Sequence, residues 1–376
     1  MDAVSRYRHI LVTGGAGFIG SHVVDDLLEA GYRVRVLDAL LPPAHNGVMP
    51  PWCNSGAEFM LGDVRRKSDW QPALEGIDAV IHLAAYMDYH LDFTTYIETN
   101  TASITNLFEV IVENQLPVKK IIAASSQSVY GEGKYSCPDH GEAYLLPRSE
   151  EALARHDWEQ HCPVCAAVAA PVPEREGDRL VPLIPYGVSK QSAEQLLECL
   201  GAIYQIPTVS LRYSIALGPR QSFRHCYSGA LRSFALNVLR GEPVQMNEDG
   251  GQLRDFVHVA DVARAHRVVL EDEWANGQVF NVGLGTGTRV IDLARMTAAA
   301  AGVPFQPLLT NRYRLQGARH SLMDTGRLRA LGWGPVHTVD EAAAEYVAWI
   351  KPWIEEGADT NQIYQEMRQA GIVRDF

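Results

Sequence analysis

The chain has 376 residues, enough for one large domain or two of modest size, and its 47% apolar and 21% charged residues exclude a disordered protein. It carries 33 Lys and Arg against 45 Asp and Glu, and the net charge of −12 makes it a poor candidate for binding nucleic acid, because that affinity depends on clustered cations. Since no apolar run reaches the roughly 18 residues of a membrane-spanning helix and no apolar signal segment follows the N-terminus, we expect a cytoplasmic protein that binds no membrane.

The first 125 residues alternate between strand and helix patterns. Such alternation predicts a parallel sheet with helices on both faces, and right-handed connections make a doubly wound Rossmann sheet the expected α/β fold. The predicted strands are His9–Thr13, Tyr32–Leu37, Glu58–Leu61, Ala79–Leu83 and Val118–Ala123, and the predicted helices are Ile19–Ala30 and Tyr96–Asn114.

Residues 131–185 interrupt this alternation. The segment is rich in proline, has little hydrophobic periodicity and holds three of the six cysteines of the chain. A stretch of this length without clear elements is either functional or held together by something other than a core. We therefore predict a Rossmann domain over residues 1–205 that carries an insert at 131–185.

Strand and helix patterns resume after the insert. They are helix Tyr186–Tyr204, strand Thr208–Tyr213, helix Leu231–Leu239, strand Val244–Met246, helix Val259–Leu270, strand Val279–Val282, and helices Ile291–Ala301, Thr325–Leu331, Val339–Ile350 and Tyr364–Ala370. We predict that residues 206–376 form mainly a second, smaller α/β domain, with some segments returning to the Rossmann sheet.

A glycine-rich turn joins the first strand to the first helix. Gly14, Gly17 and Gly20 give the spacing G-x-x-G-x-x-G, which allows a tight turn and lets a pyrophosphate approach the helix N-terminus. Asp38 follows at the end of the second strand, 24 positions after Gly14. A carboxylate there binds the ribose hydroxyls and repels a 2′-phosphate, so the sequence predicts NAD in preference to NADP.

Further motifs identify the family that the chain resembles. They are Gly14–Gly20, Gly62–Val64, His82–Ala85, Asn100, Ser125–Tyr130, Tyr186–Lys190, Gly218–Arg220, Arg254–Asp261 and Asn281–Gly283. On these motifs the chain resembles the extended short-chain dehydrogenase/reductases, specifically the NAD-dependent sugar epimerase/dehydratase family, over nearly its whole length outside 131–185. The resemblance implies that residues 206–376 mainly bind substrate. It also implies a cofactor site formed by Gly14, Gly17, Phe18, Ile19, Gly20, Asp38, Asp63, Val64, Leu83, Ala84, Ala85, Asn100, Tyr186 and Lys190.

Tyr186 and Lys190 are the predicted catalytic pair. Four-residue spacing places both on one face of a helix. A phenol, with an ordinary pKa of about 10, acts as a base near neutral pH only when a nearby cation favours the phenolate. The resemblance implies that Ser126 orients the reacting oxygen of the substrate.

The two residues after Ser126 narrow the choice of reaction. Dehydratases of this family carry Asp-Glu there and the related decarboxylases carry Glu at the second position, whereas this chain has Gln127 and Ser128. Oxidation followed by reduction remains, which fits an epimerase, and the resemblance implies a nucleotide sugar as substrate, with C4 as the expected position of inversion. A net oxidoreductase acting on a sugar or polyol needs the same residues and stays an alternative. A non-catalytic NAD-binding sensor is a third hypothesis.

The resemblance implies that arginines contact the nucleotide diphosphate, and a guanidinium fork matches phosphate geometry. The predicted substrate residues are Ser126, Gln127, Arg220, Arg254 and Arg314. Ile215 replaces an Asn that contacts the pyrophosphate in many relatives, so the pose of the substrate stays open. The resemblance also implies a homodimer that forms through the helices near 96–114 and 186–204.

The insert contains a C-x₂-H pair, Cys137 and His140, and a C-x₂-C pair, Cys162 and Cys165. Two such pairs are typical of a closed, structural zinc site, with His161 as an alternative nitrogen ligand. A mobile loop with free cysteines and a Cys162–Cys165 redox pair are the alternatives. Some members of the family carry a comparable cysteine insert at this place. The remaining cysteines are predicted to be ordinary residues: Cys53, Cys199 and Cys226.

Overall fold

The computed structural model of the chain describes residues 6–42, 44–88, 92–224, 229–356, 365, 367–369, 371 and 373–374. The strands are β1 (His9–Thr13), β2 (Arg33–Asp38), β3 (Glu58–Leu61), β4 (Ala79–His82), β5 (Lys120–Ser126), β6 (Lys134–Cys137), β7 (Gly141–Tyr144), β8 (Ala170–Val172), β9 (Thr208–Tyr213), β10 (Ile215–Leu217), β11 (Val244–Met246), β12 (Leu253–His258), β13 (Gln278–Val282), β14 (Gly287–Arg289), β15 (Pro307–Leu309), β16 (Tyr313–Arg314) and β17 (Val373–Arg374). The α-helices are α1 (Phe18–Glu29), α2 (Lys67–Leu74), α3 (Phe93–Tyr96), α4 (Ser103–Glu113), α5 (Glu150–Ala154), α6 (Pro185–Tyr204), α7 (Gly229–Leu239), α8 (Val259–Glu271), α9 (Val290–Ala301), α10 (Gly326–Arg329) and α11 (Val339–Ile350).

A seven-stranded parallel sheet forms the centre of the fold, with the strand order β13-β9-β5-β4-β1-β2-β3. Every residue of β1 and β4 is buried, as expected for strands that are covered on both faces. The predicted doubly wound α/β fold is confirmed. The order reverses direction beside β1, so the carboxyl ends of β1 and β4 border the crevice where such folds bind ligands.

Helices cover the two faces of this sheet. Helices α1 and α8 pack together on one face, over a core that includes Ile10, Val12 and Phe280. Helices α2, α4 and α6 pack in series on the other face, over Leu11, Trp70 and Phe108. The main sheet therefore holds the ends of its strands rigidly at the edge where the predicted cofactor residues lie.

The second half of the chain divides between two places. Strands β9 and β13 join the main sheet, whereas β10, β12 and β14 form a separate three-stranded sheet. Helices α7, α9 and α11 pack around a separate core that includes Phe234, Leu293 and Tyr346.

Two segments differ from the sequence-based expectations, and two others lie wholly or partly outside the described residues. The insert folds into a three-stranded antiparallel sheet, β7-β6-β8, and the short helix α5 lies in the connection between β7 and β8. The predicted helix Tyr96–Asn114 begins as α3, passes through a π-helical turn at Ile97–Ala102 and continues as α4. Cys226, and Tyr364 and Ala370 at the ends of the predicted last helix, lie outside the described residues. Within the described part of the chain, no helix has the length and apolar character needed to cross a membrane.

Candidate active site

The glycine turn after β1 is built so closely that side chains cannot be added to it. A Cβ on Gly20 would lie 2.1 Å from the carbonyl oxygen of Gly14, and one on Gly14, whose φ is +69°, would lie 2.8 Å from the backbone nitrogen of Ala84. Phe18 and Ile19 open the 12-residue helix α1 directly behind the turn. The turn thus packs its backbone against the loop after β4 and leaves the N–H groups of a helix N-terminus beside it, which fits the pyrophosphate of NAD.

Asp38 lies at the carboxyl end of β2 and contacts the same turn. Its carboxylate accepts hydrogen bonds from the backbone N–H groups of Ala16 (3.0 Å) and Leu40 (2.9 Å). Asp63, in the loop after β3, pairs with the guanidinium of Arg65 at 2.6 Å. Burial tends to raise the pKa of Asp63, but the hydrogen bonds from Arg65 lower it overall. Asp63 is therefore held ionised, and hydrogen bonds fix the positions of both carboxylates at the edge predicted to bind the adenosine of NAD.

Asn100 lies in the π-helical turn and ties two parts of the predicted site together. Its side-chain oxygen accepts from the backbone N–H of Tyr86 at 2.7 Å, and its amide group donates to Tyr86 O and to Ser189 Oγ, both at 2.9 Å. Tyr86 directly follows Leu83, Ala84 and Ala85, the residues predicted to line the cofactor path, and Ser189 lies on α6. The amide therefore fixes the loop after β4 against α6. A π-helical turn is frequently found where a helix serves a functional site.

Tyr186 and Lys190 lie in the first two turns of α6. The Lys190 ammonium lies 5.9 Å from the centroid of the Tyr186 ring and donates a 2.9 Å hydrogen bond to Ala124 O on β5. Burial lowers the pKa of Lys190 to about 8, although Glu194 one turn further along opposes this shift. The positive charge is thus placed next to the phenol, where it can favour the phenolate.

Ser126 ends β5 beside the start of α6. Gly187, next to Tyr186, allows this approach, because a Cβ there would lie 2.6 Å from Ser128 O. The Ser126 hydroxyl oxygen accepts hydrogen bonds from the backbone N–H (3.2 Å) and the hydroxyl (3.0 Å) of Ser128. Since its oxygen accepts twice, Ser126 can direct its own proton towards a substrate oxygen.

The predicted substrate residues lie in different parts of the structure. Gln127 accepts a 2.9 Å hydrogen bond from Ser321 Oγ. The Arg254 guanidinium donates to three backbone carbonyls, two of them in the segment Ala318–Arg319, at 2.8 and 2.9 Å. Arg220 follows β10 and pairs with Asp25 of α1 at 2.7 Å, which places it beside the helix that follows the predicted cofactor turn. Arg314 is exposed on the edge strand β16. Of these residues, Gln127 and Arg254 share one segment, residues 318–321.

The profile of the NAD dependent epimerase/dehydratase family matches residues 10–152 and 162–283, which include the glycine turn, Ser126, Tyr186 and Lys190. The chain belongs to this family. The break in the match falls within the insert, at residues 153–161. The prediction of an enzyme from this family of extended short-chain dehydrogenase/reductases is thereby confirmed.

The chain is similar to individual relatives in the epimerase/dehydratase family over nearly its whole length. The dTDP-L-rhamnose 4-epimerase of Burkholderia thailandensis is 31% identical over 352 residues, covering 91% of this chain and 95% of that protein. The crystal structure of the UDP-glucose 4-epimerase of Thermotoga maritima with UDP-glucose is 29% identical, with a TM-score of 0.72 over 92% of this chain and 99% of that one. The UDP-glucuronic acid 4-epimerase of Bacillus cereus in complex with NAD is 26% identical, with a TM-score of 0.73 and the same coverage.

A buried ion-pair network beneath the site was not predicted from the sequence. Arg212 on β9 binds both carboxylate oxygens of Glu194 on α6, at 2.9 and 2.7 Å, and donates to the Tyr130 hydroxyl at 2.9 Å. Tyr130 in turn donates to Asn281 on β13 at 2.7 Å, and Glu194 accepts from Ser125. The network joins α6 to three strands of the sheet and so fixes the helix that carries Tyr186 and Lys190. The only sequence signal was that several of these residues belong to family motifs.

The four predicted metal-ligating residues of the insert converge. The ligand atoms of Cys137, His140, Cys162 and Cys165 all lie within 4.8 Å of one another. Hydrogen bonds from the backbone N–H groups of Cys165 and Val164 lower the pKa of the Cys162 thiol to about 6. The alternative ligand His161 is used elsewhere, because its ring contacts Ala166 O at 3.0 Å and Asp157 at 2.8 Å.

Proposed function

We propose that the chain epimerises a nucleotide-activated sugar at C4, using bound NAD that is not consumed in turnover. The observation that carries the proposal is the placement of Tyr186 and Lys190 against the end of β5, at the edge of the sheet that also holds the glycine turn. Relatives that match over nine-tenths of the chain are named 4-epimerases of nucleotide sugars, which supports this substrate class. Gln127 and Ser128 lack the acid and base that a dehydratase needs.

NAD supplies reversible acceptance of a hydride when it is bound. Tyr186, as the phenolate, removes the proton from the C4 hydroxyl, and the Lys190 ammonium stabilises the negative charge of that phenolate. Ser126 donates a hydrogen bond to the same sugar oxygen and fixes its position. Inversion requires the keto sugar to present its other face before Tyr186 returns the proton. The chain's own groups therefore begin and end the cycle in the same protonation states.

Arg254 is the arginine that we propose contacts the diphosphate. Replacing it with Met should raise KM for the nucleotide sugar by about ten- to a hundredfold, the effect of losing a charge-assisted hydrogen bond, with a smaller change in kcat. Steady-state kinetics measures both constants. Arg289→Met is the matched control, because Arg289 lies opposite Leu253 on the neighbouring strand and pairs at the surface with Asp292. An unchanged KM in Arg254→Met would remove this residue from the substrate site.

A second copy of the chain is the proposed partner. Apolar side chains along the segments that the resemblance assigns to a dimer are exposed in the single chain, including Ile97 (47%), Val112 (37%) and Ile203 (62%). A helix-to-helix interface would cover them.

The cytoplasmic location stays a prediction from the sequence. The structural zinc ion of the insert also stays a prediction, and it takes no part in the hydride chemistry.

A panel of UDP- and dTDP-linked hexoses tests the function. We expect purified protein to release NAD on denaturation and to convert at least one of these sugars into its C4 epimer, detected by NMR, with no net accumulation of reduced cofactor. Stoichiometric reduced cofactor with a ketone product would indicate a net oxidoreductase instead. Bound NAD with no sugar converted by any member of the panel would favour the non-catalytic sensor.

A further inference from the structure

The tip of the insert consists of two turns that face each other. Cys137 ends β6 and His140 lies in the turn to β7, whereas Cys162 and Cys165 lie in a turn closed by the pairing of His161 with Val168. That second turn is fixed by hydrogen bonds from Cys162 N to Ala167 O and from Ala166 N to Cys162 O, at 2.8 and 2.9 Å. Each turn thus presents two potential ligands from a rigid backbone.

The spacing of these ligands is that of a tetrahedral metal site. With zinc–sulfur and zinc–nitrogen bonds of about 2.3 and 2.05 Å, a tetrahedron separates two sulfurs by about 3.8 Å and a sulfur from a nitrogen by about 3.6 Å. The Cys137 and Cys165 sulfurs are 3.6 Å apart, and His140 Nδ1 lies 3.6 Å from Cys137 Sγ and 3.5 Å from Cys162 Sγ. Three sulfurs and one imidazole nitrogen fill all four positions, which is typical of a structural zinc site without an open position.

Hydrogen bonds order each turn of the tip, but among the described residues no hydrophobic cluster holds the two turns against each other. The hydrophobic clusters of the described residues include no side chain between 134 and 140 or between 159 and 170. Small units without a core usually depend on a metal or on disulfides. The cysteines of the tip are free, and a redox pair of Cys162 and Cys165 gives no reason for Cys137 and His140 to converge on them. A metal ion explains all four positions together.

Contacts next to the cluster lead to the predicted substrate side. Two residues before Cys137, the Tyr135 hydroxyl accepts from the backbone N–H of His320 at 3.3 Å. Three residues before Cys162, Glu159 accepts from the Arg319 guanidinium and contacts the His320 ring at 3.1 Å. These contacts brace the segment 318–321, whose carbonyls hold Arg254 and whose Ser321 binds Gln127.

We propose that Cys137, His140, Cys162 and Cys165 bind one zinc ion, which closes the insert and holds the segment 318–321 in place. The metal is structural, and its removal releases both the tip and that segment. The effect of the metal on residues 318–321 concerns the side predicted to bind substrate and therefore rests on the proposed function. The binding of zinc does not rest on it, because zinc can be present whatever reaction the enzyme catalyses.

Metal analysis of protein purified without added metal tests the site. We expect about one zinc per chain in the wild type and in Cys199→Ser, whose thiol is exposed and lies outside the cluster. Cys162→Ser and Cys137→Ser should each retain less than about 0.2 equivalents, because loss of a thiolate opens a closed tetrahedral site. Wild-type protein without zinc, or with another metal in its place, would overturn the proposal, as would full zinc content in both cluster variants.

Hydrogen–deuterium exchange tests the consequence without an assay of activity. In Cys162→Ser, exchange should become faster in the insert and in residues 318–321 and stay unchanged in β1 and β4. Bound NAD should be retained, which separates this outcome from a failure of the whole fold. Unchanged exchange at 318–321 in a zinc-free variant would show that the metal does not brace this segment. A zinc-loaded wild type that converts no sugar would contradict only the proposed function.

Discussion

Replacing Tyr186 with Phe is expected to lower kcat by about a hundredfold or more, the range for loss of a positioned general base. The substitution removes one oxygen and keeps the ring, so its packing against the Lys190 side chain survives. NAD content and thermal stability should therefore match those of the wild type. Steady-state kinetics with the sugar identified from the panel measures kcat, extraction of the cofactor measures the NAD content, and a thermal melt measures the stability.

The same helix supplies a control for this variant. Tyr204, at the end of α6, is 46% exposed and lies far along the helix from Lys190, so Tyr204→Phe should keep wild-type activity. Full activity in Tyr186→Phe would rule out the phenol as the base. Loss of NAD from Tyr186→Phe would instead assign the residue mainly to binding the cofactor.

Gly20→Ala should lower the NAD content of the purified protein and, with it, the activity. The new Cβ would lie 2.1 Å from Gly14 O and 2.8 Å from Gly15 Cα, and backbone atoms cannot move aside without distorting the turn. Overpacking of this kind costs about 1–3 kcal/mol, so the affinity for NAD should fall about tenfold or more even if the domain folds. Isothermal titration with NAD measures the affinity, and circular dichroism reports whether the fold is kept.

Gly177→Ala is the matched control, because a Cβ on Gly177 would meet no atom within 4 Å and its φ is not positive. This variant should bind NAD as the wild type does. Wild-type affinity in Gly20→Ala would mean that the turn does not approach the cofactor as closely as the structure indicates.

Local patterns in the sequence predicted the Rossmann fold well. The alternation of strands and helices is readable because each element buries a face within its own stretch of chain, and the glycine turn lies within seven consecutive residues. The cysteine pairs of the insert are likewise local, and their spacing predicted the four residues that converge. Spacing alone did not decide between His140 and His161, since that choice depends on how the two turns face each other.

Contacts between distant parts of the chain could not be predicted in this way. The pairing of Arg212 with Glu194 and Tyr130 is set by the packing of α6 against β5 and β9, and no sequence pattern encodes which buried charges meet. The insert pairs β6 with β8, which lie more than 30 residues apart in the chain. Strands this short also carry little periodic signal of their own. The contacts of Tyr135 and Glu159 with residues 318–321 also join distant parts of the chain, so no local pattern predicts them.

The most direct test of the account is to run the reaction in deuterated water and examine the inverted carbon of the product by NMR. Oxidation and reduction through a bound cofactor keep the original hydrogen on C4, because a hydride does not exchange with solvent. We therefore predict a C4 epimer that carries protium at C4, formed without net reduction of NAD. Deuterium at C4 would indicate inversion by proton abstraction at that carbon and would contradict the proposed mechanism.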